Sequence, residues 1–456
     1  MIEQKTKRLF GTNGVRGVIG DSMTPHLAMK IGMALASERG PVIALGRDTR
    51  TSGPALSSAV SAGVLACGAD VVDLGVLPTP ALQYIVKNHF DAGAVVTASH
   101  NPPEYNGVKI IEGDGTEMDD TGVITLEERI FNEDFDIQTW ETVGNYWEAP
   151  EMLREYCVAV AEAFPGLHAG NIIVAVDPGS GPACATTPDI LSHLGCRVHT
   201  INGTMDGTFP GRLPEPSPEG LKALSQLVVD TGAAFGVAHD GDADRAVFID
   251  EKGNFIEENE EFALMQRFIC KNNPGGTIVT PVSTSFLAEK IAAETNSKVV
   301  YTEVGSIYVA RRMLSLAADG VKVTFGGEGN GGIIFPFHQH CRDGGMTAAA
   351  MVALLAAENK PLSELVASLP SHYMVKEKIH TKNAATILDH ARKIFSKEML
   401  DETDGIRINR EDAWALLRPS GTEPFMRLYV EAAEESDARK FADEILSAID
   451  PVLQAP

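Results

Sequence analysis

No run of apolar residues in this chain is long enough to cross a bilayer. The longest small-apolar stretch, Met346 to Ala357, falls short of the roughly 18 residues that a spanning helix needs and reads instead as a buried helix. Cysteine is scarce and unpatterned: Cys67, Cys157, Cys184, Cys196, Cys270 and Cys341 form no C-x-x-C pair, which argues against a zinc site or a disulfide framework and predicts a reduced, cytoplasmic setting. The first residues, Met1 to Thr12, have no apolar leader core, so no export signal is expected. Positive charge is also short, 38 Lys and Arg against 62 Asp and Glu for a formal net charge of -24, so nucleic acid and anionic membranes are poor partners. A small anionic ligand would need locally concentrated Arg and Lys. No G-x-x-x-x-G-K-[ST] occurs, which argues against a P-loop NTPase.

What is present is ordinary for a globular protein, 44% hydrophobic and 22% charged, and disorder is not indicated. At 456 residues the chain exceeds one core and predicts three or four domains. A strand-loop-helix-strand grammar recurs three times. It runs from Val42–Gly46 through the polar loop Arg47–Arg50 and a helix Ser57–Cys67 to a strand at Val71. The second copy spans Ile172–Val176, the loop Asp177–Pro182, a helix ending near Leu194 and a strand around Val198. The third spans Thr277–Val279, the loop Ser283–Ser285, a helix Phe286–Ala293 and the strand Lys298–Val300. A different tail follows, with a strand Tyr373–Ile379, a helix Ala384–Phe395, three antiparallel strands (Gly405–Ile408, Ala413–Arg418, Phe425–Glu431) and a helix Asp437–Ile449. The expected fold class is α/β with four domains, three similar units with mixed or parallel sheets and a smaller C-terminal α+β unit. Domain edges are placed near 150, 254 and 368, giving 1–150, 151–254, 255–368 and 369–456.

In α/β units ligands gather at loops after the strands, and the polar residues of this chain collect there. The apolar run Gly93–Val96 delivers Ser99 and His100 into a loop held by Pro102, Pro103 and Gly107, a candidate nucleophile; the plain alternative is a capped loop. Leu9–Gly17 combines three glycines with Arg16 and reads as a turn able to touch phosphate. Asp240, Asp242 and Asp244 at i, i+2 and i+4 are costly neighbours without a cation, and an all-oxygen set suits Mg²⁺. With Glu251 they match four EF-hand positions, but Arg245 stands where that turn requires glycine and the flanks read as strands, so the calcium reading is rejected. Gly327–Gly332 fits G-x-G-x-x-G, yet the next residues, Ile333–Phe337, are extended and contain a proline, which rejects a dinucleotide site. A plain turn or a close-approach loop presenting Glu328 and Asn330 remains. Arg418-Pro-Ser420-Gly421-Thr422-Glu-Pro424, with Arg427 beyond it, suits a phosphate monoester. Together these loops point to phosphoryl transfer without ATP.

In order and spacing, Thr97–Lys109, Asp240–Arg245, Gly327–Gly332 and Arg418–Pro424 resemble the motifs of the α-D-phosphohexomutase family over essentially the whole chain. The resemblance implies four domains around a central cleft. It implies that Ser99 carries a phosphoryl group, that Asp240, Asp242 and Asp244 hold one Mg²⁺ with an oxygen of phosphorylated Ser99, and that Lys109 acts as general acid or base, with His100, Arg16 and Arg245 around the serine. By the same resemblance Glu328 and Asn330 hold sugar hydroxyls, while Arg418, Ser420, Gly421, Thr422 and Arg427 bind the phosphate that does not react. Val304 and Gly305 belong to a further substrate loop, where Ile307 stands at a position often basic in the family. Gly332 stands where many members have histidine, and Asn330 where many have serine. The reaction implied moves phosphate between the 1- and 6-positions of a hexose through a 1,6-bisphosphate, in a monomer or homodimer.

Within the family the motif set looks most like the archaeal-type phosphoglucosamine mutase branch, which overlaps enzymes acting on glucose and mannose phosphates. Two other classes use the same residues differently. A sugar-phosphate phosphatase would release phosphate faster than it isomerises, and a non-catalytic sugar-phosphate binder would show no turnover.

Overall fold

The computed structural model describes residues 9–11, 14–167, 169–381, 383–419 and 425–453. Contacts divide it into two compact units, one running to Glu261 and including Asn330–Leu365, the other made of Phe262–Gly329 and the chain from Val366 onward.

The first unit holds two sheets. One contains β1 (Val15–Val18), β2 (Val42–Arg47), β3 (Asp70–Val76), β4 (Ala92–Val96), β5 (Tyr105–Glu112) and β6 (Tyr146–Glu148), in the order β1-β5-β4-β2-β3-β6. Strands β4, β2, β3 and β6 run parallel, while β5 and β1 run antiparallel to their neighbours. Every residue of β4 is buried, as its unbroken Ala-Gly-Ala-Val-Val run requires of a strand covered on both faces. Two expectations are corrected here. Arg16 lies on the edge strand β1, opposite Gly107, and not in a turn, although Thr12 and Asn13 of the same motif lie outside the described residues. The serine loop is also shorter than expected, because the chain is β5 from Tyr105, which puts Lys109 inside the sheet opposite Val95.

The second sheet contains β7 (Ile173–Asp177), β8 (Arg197–Thr200), β9 (Phe235–His239) and β10 (Ala246–Asp250) in the order β10-β9-β7-β8. Strands β9 and β10 form an antiparallel hairpin, and its connection is the aspartate loop. Strands flank that loop, as the rejection of a helix-loop-helix calcium site requires. The helix Gly344–Glu358 is buried from Gly344 through Leu355, matching the apolar run read as a core helix.

In the second unit β11 (Thr277–Pro281) pairs in parallel with β12 (Lys298–Thr302) and with β13 (Val323–Glu328). After the glycine-rich turn the chain is again extended, as β14 (Gly332–Ile334) in the first unit, where a dinucleotide site would need a helix. The C-terminal sheet, β15 (Tyr373–His380), β16 (Met399–Asp401), β17 (Ile406–Asn409), β18 (Ala413–Pro419) and β19 (Phe425–Ala432), is antiparallel throughout. Its apolar face packs on the helices Ala384–Ile394 and Glu435–Leu453. Its other face meets the β11–β12 region through Trp414 and Leu416 against Val282, Phe286 and Leu287. At this joint Glu431 accepts from Ser285 Oγ, from the Phe286 amide at 2.8 Å and from Trp414 Nε1 at 2.5 Å. Arg407 is stacked between Tyr301 and Trp414.

Candidate active site

Ser99 follows β4 by three residues and is buried, with its backbone in the left-handed region at φ 48°. That conformation is costly for a residue with a side chain and needs support from its surroundings. Arg50 supplies it. Fully buried, Arg50 donates from Nη1 to Pro102 O (2.6 Å) and Tyr105 O (2.9 Å), and from Nη2 to Ser99 O (2.7 Å) and Asn101 O. Asp48 balances its charge by accepting from Arg50 Nε at 3.1 Å. The same carboxylate accepts from Thr97 Oγ1 at 2.6 Å, and Thr97 Oγ1 accepts in turn from the Ser99 amide at 2.9 Å. The Ser99 hydroxyl is thereby aimed at the aspartate loop, where Oγ donates to Asp240 Oδ2 at 2.9 Å. Gly241 makes that approach possible, since a Cβ there would stand 2.3 Å from Ser99 O.

The three aspartates are buried, and one oxygen from each lies within 4.8 Å of the others. Each carboxylate meets a cation: Asp240 meets Arg245 Nη2 at 3.3 Å, Asp242 meets Lys109 Nζ at 2.8 Å, and Asp244 meets Arg342 Nη2 and, at 3.4 Å, the same Lys109 Nζ. Thr79 Oγ1 also donates to Asp242 Oδ2, at 2.7 Å. Burial, followed by the charge of Asp244, pushes the Asp240 carboxyl up to about 8. Burial opposes ionisation of Asp242 too, but Lys109 and Thr79 outweigh it and hold that group far below the usual range. For Asp244 burial is again the largest single effect, and Arg342, Lys109 and Arg245 together outweigh it and lower its pKa. Burial also works against the Lys109 ammonium, yet Asp242, Asp244 and Glu117 outweigh it and raise its pKa. Two oxygens, Asp242 Oδ1 and Asp244 Oδ1, are buried and accept no hydrogen bond. Paired anionic oxygens of this kind are unfavourable without a cation, and an all-oxygen donor set with a hydroxyl at its edge fits Mg²⁺.

Four sequence profiles match the chain, described as phosphoglucomutase/phosphomannomutase alpha/beta/alpha domain I (residues 7–137), domain II (154–253), domain III (257–373) and the C-terminal domain (374–448). A phosphoglucomutase/phosphomannomutase of Thermococcus kodakarensis is 41% identical, over 98% of this chain and 99% of its own. The chain belongs to the α-D-phosphohexomutase family. A phosphoglucosamine mutase of Methanocaldococcus jannaschii is 34% identical over 98% of this chain and 99% of its own. The crystal structure of a phosphoglucomutase/phosphomannomutase family protein from Burkholderia thailandensis superposes with a TM-score of 0.86 at 27% identity, covering 96% of this chain and 97% of that one. The protein is therefore a phosphohexomutase, an isomerase with the four-domain α/β architecture of its family.

Around the serine of this phosphohexomutase, Arg16 donates from Nη1 to Asn101 Oδ1 at 3.2 Å. Arg245 forms a two-pronged pair with Glu215, both bonds 3.0 Å. His100 is partly exposed, 3.7 Å from Glu215, and desolvation with the nearby Arg245 pushes its pKa down to about 4. Asn330 lies in the same unit and uses its Oδ1 to accept from the Gly332 amide at 3.1 Å. The other expected contacts lie in the second unit. Glu328 closes β13. Gly305 caps the helix Ser306–Ala318, and Asp404 Oδ2 accepts both from the Val304 amide at 3.0 Å and from Arg418 Nε at 2.6 Å, so these two loops share one carboxylate. Arg427 Nη1 donates to Tyr429 OH at 3.2 Å. Ser420, Gly421 and Thr422 lie outside the described residues.

Sequence reasoning missed Asp48, Arg50, Thr79, Glu117, Glu215 and Arg342. The loop Arg47–Arg50 did carry a signal, since it follows a strand and charged residues there are rarely idle. After β14, His338 stacks on Tyr84 at 5.0 Å and sits 3.5 Å from Asp343. Arg342 is the residue of that segment that reaches the aspartates.

Proposed function

We propose that Ser99 carries a phosphoryl group and exchanges it with hexose phosphates, with glucosamine 6-phosphate and glucosamine 1-phosphate as the preferred pair. The observation that carries this reading is the buried Ser99 hydroxyl donating to Asp240 at 2.9 Å, beside two carboxylate oxygens that lack a hydrogen bond. In the first half-reaction the P–O bond to Ser99 breaks as one forms to a sugar hydroxyl. The hydroxyl loses its proton and the serine oxygen gains one, and Lys109 handles that exchange. The 1,6-bisphosphate then turns end for end, and its other phosphate returns to Ser99. Asp240, Asp242 and Asp244 would hold one Mg²⁺ with an oxygen of phosphorylated Ser99, and the ion would offset charge on the moving group. Arg16, His100 and Arg245 steady the phosphoryl oxygens. Glu328, Asn330, Val304 and Gly305 hold the sugar, and Arg418, Ser420, Gly421, Thr422 and Arg427 hold the second phosphate. On this reading the four loops belong to domains with edges near 150, 254 and 368, one loop in each.

Support for the amino sugar comes from the archaeal relative named a phosphoglucosamine mutase. A second reading, mixed glucose and mannose specificity, is favoured by the name of the relative at 41% identity. Turnover of glucosamine, glucose and mannose 1-phosphates under one set of conditions separates the two. Intact-mass measurement should find a phosphate adduct that Ser99→Ala abolishes together with isomerisation. An active wild type that never carries phosphate would sink the mechanism, and phosphate release outpacing isomerisation would turn the reading toward a phosphatase.

A further inference from the structure

Of the cations that bond the three aspartates, Arg342 has no role in the reading above. It is buried, and Nη2 binds Asp244 Oδ2 while Asp244 Oδ1 is left without a hydrogen bond. Its position is rigid. The next residue, Asp343, caps the helix Gly344–Glu358 by accepting from the Met346 amide at 2.9 Å, and also accepts from Tyr156 OH at 2.6 Å. The backbone is tied back as well, by the Asp343 amide donating to Ile333 O at 3.0 Å.

The path of the arginine depends on one glycine. A Cβ added to Gly332 would stand 2.3 Å from Arg342 Cδ and 3.1 Å from Cγ. Position 332 is not in the left-handed region, so its backbone would accept any residue. The constraint is therefore space, taken chiefly by the arginine stem and also by Asn330 Oδ1, 2.9 Å from the added Cβ. With its far end bound to Asp244 and its near end fixed by Asp343, that stem cannot move aside without releasing the carboxylate.

We infer that Arg342, threaded over Gly332, is a positioning residue for phosphoryl transfer: it engages one oxygen of Asp244 and turns the other toward the cation site. This rests on the phosphoserine reading. The cluster also holds Arg16 and Glu117, and Arg245 is shared with Glu215, so Arg342 acts through its direct bond to Asp244 and not by completing a charge count. Without Arg342, Asp244 Oδ2 is left with the longer contact to Lys109 Nζ, at 3.4 Å. The stem passes the loop of Asn330, but the guanidinium ends on Asp244 beside the transfer centre, so replacement by methionine, which keeps most of the stem, should lower kcat more than it changes KM.

The test compares wild type, Arg342→Met, Arg342→Lys, Gly332→Ala, Arg342→Ala and the Gly332→Ala/Arg342→Ala pair, using hexose 1-phosphate turnover and intact mass after incubation with hexose 1,6-bisphosphate. Arg342→Met should lose about tenfold to hundredfold in kcat with KM within about threefold, and should hold less phosphate on Ser99. Arg342→Lys should fall between it and wild type, and remains informative if the methionine variant folds poorly. Gly332→Ala should be impaired alone and cost less in the Arg342→Ala background, where the arginine clash is gone and only Asn330 Oδ1, 2.9 Å from the added Cβ, must yield. Wild-type kcat and phosphate occupancy in Arg342→Met, or additive losses in the double variant, would overturn the inference. A wild type with neither adduct nor isomerisation would instead overturn the phosphoserine reading itself.

Discussion

Replacing Arg50 with methionine is expected to damage stability and turnover together. The guanidinium is fully buried and donates to four carbonyls of the Ser99 loop, so methionine keeps the stem but removes every one of those bonds. It also strands Asp48, which is buried and whose pKa burial already raises. Breaking a buried ion pair from one side costs about 3–5 kcal/mol, and carbonyls left without donors add to that. For a unit of this size each kcal/mol lowers Tm by about 2–4 °C, so a fall of roughly 6–20 °C is expected. Ser99 would also lose the support for its left-handed backbone, and kcat should fall even below the new Tm. Differential scanning calorimetry and turnover at 25 °C check both effects. The double variant Asp48→Asn/Arg50→Met removes the whole pair and should regain part of the stability but little of the activity. A Tm within about 2 °C of wild type with unchanged kcat would refute the claim that Arg50 holds the loop.

Three other perturbations follow from the geometry. Gly241→Ala places a Cβ 2.3 Å from Ser99 O, and the resulting shift of about 1 Å should cost about a hundredfold in kcat with a smaller effect on Tm; unaltered kinetics would contradict it. Glu261 is buried, neither of its carboxylate oxygens accepts a hydrogen bond, and burial raises its pKa well above normal. Between its unfolded and folded pKa values the native state holds a proton that the unfolded state lacks, so stability falls as pH rises through that window, by up to about 1.4 kcal/mol per pH unit. Glu261→Gln should flatten this slope in urea melts at pH 6 and pH 8; equal slopes in both proteins would count against a neutral Glu261. Glu431→Gln places an amide where Ser285, Phe286 and Trp414 all donate, and should lower stability by about 2–4 kcal/mol in thermal melts, where no change would show that the joint does not depend on that charge.

Features that arise from local pattern were legible in advance. The apolar runs before Ser99 and Asp240, the carboxylate spacing at 240, 242 and 244, and the extended chain after Gly332 each depend on neighbours in sequence, and the structure has the strands where those patterns put them. What escaped was set by distance in the fold. Arg50 serves a loop about fifty residues away, and Arg342 reaches an aspartate 98 positions earlier; neither carries a motif, because a single arginine looks the same whether solvated or buried. Arg16 reads as part of a turn, and Lys109 as the far edge of the serine loop, because glycines and prolines dominate their surroundings. Pairing between β1 and β5 overrides those local signals, and such pairing is a tertiary property.

The left-handed backbone at Ser99, φ 48°, also bears on which hydroxyl amino acid can occupy the site. Threonine carries the same reactive oxygen, but branching at Cβ makes positive φ a true outlier and leaves χ1 little freedom to point Oγ at Asp240. The geometry thus selects serine over threonine before any chemistry takes place. A Ser99→Thr protein would keep a nucleophile in name while its backbone pulled the oxygen off target.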